Sequence, residues 1–166
     1  LNKIKIKTTN QDKKIQFYTN FYHALIHPNI VSDVNGDYMG ADFKVHNNID
    51  RDHYSSFSVW DTYRTQAQLL AMLFPKQSSD MMESLVNFAE QAGGYGRWIL
   101  ANIETGIMQG DPTPILISNS FAFGAKDFNL KKAYKYMYKG AMEPRVNSQN
   151  QEIRPYLTEY INNGHT

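Results

Sequence analysis

The chain has 166 residues, 42% of them hydrophobic and 13% aromatic, which is enough apolar material for one domain-sized core and too much for a disordered chain. Its 17 basic and 16 acidic residues are intermixed and leave a net charge of +1, so neither a dedicated nucleic-acid surface nor a polybasic membrane patch is expected. Cysteine is absent, which excludes disulfides and thiolate metal sites, and no apolar run reaches the roughly 18 residues needed to cross a bilayer.

In chain order, the Ile4/Ile6 alternation predicts a short strand. Ile15, Tyr18, Phe21, Tyr22 and Leu25 recur at steps of three and four, predicting an amphipathic helix from Gln11 to about Ile26 that Pro28 stops. Residues 29–54 read as a hairpin and loop between helices, with Asn35-Gly36 as its tight turn because both residues tolerate positive φ. Val59, Tyr63, Ala67, Leu70 and Phe74 then mark one long helix ending at Pro75. The next helix is expected to start at Asp80, with Glu83 completing a capping box, and to end at Gly93-Gly94. Residues 94–110, with four glycines, read as a long loop. Asp111-Pro112 reads as an N-cap and first-turn proline opening a helix through Phe123, and residues 130–142 and 154–163 complete six helices. The fold class is therefore all-α with a small β-hairpin insertion, its helices paired in hairpins as in a superhelical stack or a closed ring.

Several cofactor patterns fail on inspection. His23 and His27 have zinc-pair spacing, but Ala24 stands where a metalloprotease carries its glutamate base. Asp33, Asn35 and Asp37 imitate the start of a calcium loop, yet the glycine falls at its fourth position and Lys44 occupies the place of the bidentate glutamate. What remains is a scatter of carboxylates and aromatics in loops or at helix starts: Asp33, Asp37, Trp60-Asp61, Arg97-Trp98, Glu104 and Asp111. Glycoside hydrolysis needs one carboxylic acid to protonate the leaving oxygen and a second carboxylate opposite it. Glu104, between Ile103 and Ile107 in a glycine-bearing loop, is the candidate whose proton affinity desolvation could raise. Spacing alone favours Asp111 as a plain helix cap and Trp60 as a core residue, and equally allows Asp61 and Glu104 as solvated acids.

Residues 17–23, Ser32–Gly40, Tyr54–Arg64, Arg97–Gly110, Ala122–Phe128 and Lys132–Tyr134 together closely resemble the glycoside hydrolases of family 92, in that family's order and over essentially the whole chain. The resemblance implies part of a catalytic (α/α)6 toroid, with an N-terminal β-sandwich and the remainder of the toroid outside residues 1–166. It implies inverting, calcium-assisted release of terminal mannose from α-mannosides, of the α-1,2 type, by a glycosidase of which this stretch alone is inactive. By motif, Glu104 is the general acid, Trp60 and Asp61 line the terminal-mannose subsite, and Arg97 is a further contact. Asp33 and Asp37 lie in a hairpin near that mouth. Two departures stand out: Gly110-Asp111-Pro112 replaces the Gly-Tyr-His of many members, and nothing after Glu104 matches the Gly-Asn-Asp-Asp stretch that carries the family's base and bears on calcium. The implied partner is a mannose-containing glycan, with neither nucleic acid nor membrane, and unpaired helix faces suggest self-association. A non-catalytic helical carbohydrate-binding or structural module is the alternative reading.

Overall fold

A computed structural model describes residues 1–108, 110–147 and 150–166. Among them are seven helices and three small antiparallel strand pairs, so the helical class with a β excursion holds. No helix is long and apolar enough to cross a membrane among the described residues.

The opening residues do not form the predicted strand; they run irregularly into α1 (Gln11–His23), whose N-cap Asn10 accepts from the Lys13 amide at 3.0 Å. An isolated alternation with no partner strand leaves its ladder unpaired, and that explains the difference. Phe21 is the buried residue of α1, while Ile15 and Tyr22 of its apolar stripe face outward.

The excursion at 29–54 is two nested pairs. β1 (Asn29–Ile30) pairs with β4 (Tyr54–Ser55), and between them β2 (Asp37–Met39) pairs with β3 (Val45–Asn47). The hairpin turn is Gly40–Lys44, with Phe43 at φ 59°, and not Asn35-Gly36. Asn35-Gly36 instead makes a separate turn before β2, where the Gly36 amide donates to Asp33 O at 2.9 Å. Gly36 is fixed there because its φ is +86° and a Cβ would meet the Asn48 backbone at 2.7 Å.

The long helix expected over 59–74 is two pieces, α2 (Val59–Thr62) and α3 (Gln66–Leu73), broken at Tyr63–Thr65. The apolar period continues across the break, so periodicity alone cannot reveal it.

α4 (Pro75–Ala92) starts five residues earlier than predicted, with Pro75 in its first turn, and ends at Gly93 in the left-handed conformation. Asp80 is therefore no cap. It is 1% exposed in mid-helix, held by Arg51 at 2.9 Å and Lys76 at 3.0 Å. α4 packs against α3, α5 (Thr113–Phe123) and α6 (Leu130–Met142) and carries Met82, Leu85, Val86 and Ala89 into the core. Its serines let neighbours approach closely and cap them: Ser84 Oγ accepts from the Tyr54 amide at 2.9 Å, and Ser79 Oγ accepts from the Asp127 amide at 3.2 Å.

The long loop after α4 contains a third hairpin, β5 (Ile99–Leu100) with β6 (Ile103–Glu104), turned at Ala101, whose φ is 52°. Asp111 does not cap α5; it is ion-paired to Arg154 at 2.9 Å just before α7 (Leu157–Asn163).

Candidate active site

Glu104 ends β6, in a hairpin of two-residue strands tied to Phe57 by the Ile99 amide, which donates to the Phe57 carbonyl at 3.1 Å. Glu104 is 5% exposed. Its Oε2 accepts from the Arg97 amide at 2.6 Å and its Oε1 from the Gly106 amide at 2.9 Å, so the backbone on both sides clamps the carboxyl. Gly96 makes the seat: a Cβ there would overlap Oε2 and stand 2.9 Å from Ile99 Cγ1. Burial raises the Glu104 carboxyl above the ordinary glutamate range, against the Gly106 and Arg97 amides and the Arg97 guanidinium, which favour the charged form.

Glu104 lines a cavity of about 310 Å³. One wall is the β2–β3 turn, at Ala41 and Phe43; another is the end of α4, at Phe88 and Ala92. The β5–β6 hairpin contributes Asn102, Ile103 and Glu104, and the segment after α6 closes it with Arg145, Val146 and Asn147. Neighbouring chain segments fix the polar members. Asn102 Nδ2 donates to Gly40 O at 3.1 Å, and Asn147 and Gln151 bond each other through three contacts of 2.9 Å.

The sequence-selected residues divide into two groups. Arg97 is 5% exposed beside Glu104; its Nη2 reaches Glu152 O at 3.4 Å and its buried Nε has no partner among the described residues. Trp60 and Asp61 stand on the short α2, exposed, and are not in the wall of the Glu104 cavity. The Trp60 ring lies 4.0 Å from where a Gly110 Cβ would be, so it flanks the loop that leaves Glu104. Gln109 of that loop is outside the described residues. Asp33 and Asp37 lie at the open end of the β2–β3 hairpin, opposite the turn that lines the cavity, and Asn35 and Asn47 each hold the Asp37 carboxylate at 2.8 Å. Sequence reasoning passed over Arg145, Asn147 and Phe43. Arg145 follows Pro144 at a helix end, and its only advance signal was a lone cation after a proline.

No group of three or more His, Cys, Asp or Glu gathers as a metal cage among the described residues. These residues alone do not fit a calcium ion.

The fold and site define a helical domain with a desolvated glutamate at a polar cavity. The chain belongs to the family of the glycosyl hydrolase family 92 catalytic domain, whose model matches residues 1–166. No curated protein matches. Among solved structures, the chain is similar to the family GH92 α-mannosidase BT3965 from Bacteroides thetaiotaomicron, with 25% identity and a TM-score of 0.82 over 93% of this chain and 20% of that one. The same protein in complex with mannoimidazole gives 27% identity and a TM-score of 0.77, covering 89% of this chain and 19% of that one. The inverting mannosidase BT2199 from Bacteroides thetaiotaomicron, at 20% identity, shares the fold with a TM-score of 0.86 over 98% of this chain and 22% of that one. The chain thus spans about a fifth of the length of these structures.

Proposed function

We propose that this chain supplies the general acid, Glu104, of a glycosidase that removes terminal mannose from α-mannosides. The observation that carries the reading is a buried carboxyl, raised in proton affinity, on the wall of a cavity, in a chain of this family. A general acid must hold its proton near working pH and lie within reach of the leaving oxygen. Burial supplies the first condition and the cavity leaves room for the second. The similarity to α-mannosidase BT3965, solved with mannoimidazole, supports a manno-configured substrate.

Inversion is part of the proposal and needs a second carboxylate about 6.5–9.5 Å from the first, with a water between it and the sugar. Asp111 is engaged by Arg154 at 2.9 and 3.1 Å, so we assign it no base role. The base belongs in this reading to the part of the fold that the longer relatives possess. Trp60, Asp61 and Arg97 remain proposed sugar contacts, and Trp60 and Asp61 would serve a different wall from the one Glu104 occupies. Calcium dependence and the α-1,2 preference are carried by the family resemblance alone, and no step is routed through the metal.

Glu104→Gln in the full-length protein tests the acid. Turnover should fall by about 10²–10⁴-fold on substrates with poor leaving groups and much less on activated aryl α-mannosides, which need no protonation. The fall of activity with rising pH should also disappear. Equal loss on both substrate types sinks the assignment.

A further inference from the structure

A second charge faces the Glu104 cavity. Arg145 lies on its wall, partly buried, with its side chain laid over Gly94, where a Cβ would stand 2.5 Å from Nε and 2.8 Å from Cζ. Gly94 and Gly96, two residues apart, therefore seat the two charged groups of the cavity, Arg145 and Glu104. Among the described residues the Arg145 guanidinium has no hydrogen-bond or ion-pair partner. Asp111, the nearby acid, is taken by Arg154. Glu104 spends both oxygens on backbone amides and makes no ion pair. The local count is three guanidiniums (Arg97, Arg145, Arg154) against two carboxylates (Glu104, Asp111), an excess of one positive charge that becomes two whenever Glu104 is protonated.

A guanidinium on a cavity wall, laid over a glycine and in no ion pair with the acids near it, is prepared for a planar or tetrahedral oxyanion that it can grip with two N–H bonds. We infer that Arg145 is a specificity-determining residue that binds an acidic group, carboxylate or phosphate, carried by the glycan acted on at Glu104. The inference rests on the proposed glycosidase reading for its substrate class, but it concerns binding and does not need turnover. Neutral hydroxyls would leave the excess charge uncompensated, so an uncharged mannoside should gain little from this residue.

The test is binding of inorganic phosphate and of glucuronate to the full-length protein, by calorimetry, with methyl α-mannoside as the neutral probe. At least one anion should bind the wild type, and Arg145→Gln should weaken it tenfold or more, while Arg145→Lys weakens it less. Methyl α-mannoside should bind both variants within about twofold of wild type, since hydroxyls do not require the charge. Glu104→Gln, which removes a negative charge, should bind the anion as well as or better than wild type even though its turnover is lost. That separates failure of this inference from failure of the acid assignment. Phosphate preference points to a phosphorylated glycan, and glucuronate preference to one bearing a uronic acid. The inference is overturned if neither anion binds, if folded Arg145→Gln binds both like wild type, or if it loses methyl α-mannoside by the same factor as the anion.

Discussion

Gly96→Ala separates the demands of the fold from those of the site. The new methyl group would overlap Glu104 Oε2, stand 2.9 Å from Ile99 Cγ1 and lie 3.2 Å from Phe88 Cε1. Gly96 has no positive φ, so the backbone accepts alanine and the whole effect is steric. The atom struck hardest is the end of a flexible side chain, and it yields by swinging away from the Arg97 amide it holds at 2.6 Å. Losing that charge-assisted bond and crowding Ile99 should cost about 2–3 kcal/mol of stability. With Glu104 in its proposed role as the acid, catalysis should suffer more, because a displaced acid forfeits the roughly 10²–10⁴-fold that proton transfer contributes. Gly93→Ala is the control. Its φ of +82° costs about 1 kcal/mol, but nothing lies within 4 Å of its Cβ and activity should be untouched. Denaturant unfolding and kcat on a poor-leaving-group mannoside, both on the full-length protein, read the two effects. Wild-type kcat in Gly96→Ala would falsify the placement of Glu104 against this glycine.

Two further perturbations probe the scaffold. Arg51→Ala should destabilise by about 3 kcal/mol in urea unfolding, because Asp80, 1% exposed, is left with only the exposed Lys76 as counter-charge. His53, stacked on Tyr38 at 3.6 Å, has its pKa depressed by burial to about 4. A histidine depressed on folding contributes stability that is present above about 6.5 and is lost as pH falls from there to about 4, where the unfolded chain takes up the proton first. The loss over that window is about 3 kcal/mol at most, and His53→Gln should flatten it in melts run across the same pH range, whatever its absolute stability.

What the sequence disclosed follows the range of the interactions involved. Helices α1, α5 and α6 were legible because apolar periodicity and the proline or glycine that bounds it are local signals; the caps Asn10, on the Lys13 amide, and Asn129, on the Lys132 amide at 2.9 Å, came only from the structure. Asp80 and Asp111 were misread because each looks like a cap from its neighbours, while its actual partner comes from elsewhere, Arg51 for one and Arg154 for the other. The three strand pairs are two or three residues long, too short for alternation to register. Glu104 was a candidate through its motif and Arg145 was not, because what makes Arg145 a candidate is its position over Gly94, some fifty residues earlier in the chain.

The two glycines give the site its chemical logic. By presenting bare backbone, Gly94 and Gly96 let a guanidinium and a carboxyl settle against the chain. For Glu104 this creates a contest. Burial favours the proton, whereas two fixed amides and the Arg97 guanidinium favour its loss; burial prevails. An acid that must release a proton and then recover it works best when those terms nearly balance. An anion bound at Arg145 would cancel part of the cationic pull and tip the balance further toward the protonated form. On that view, the residue that selects an acidic glycan also readies Glu104 to cleave it.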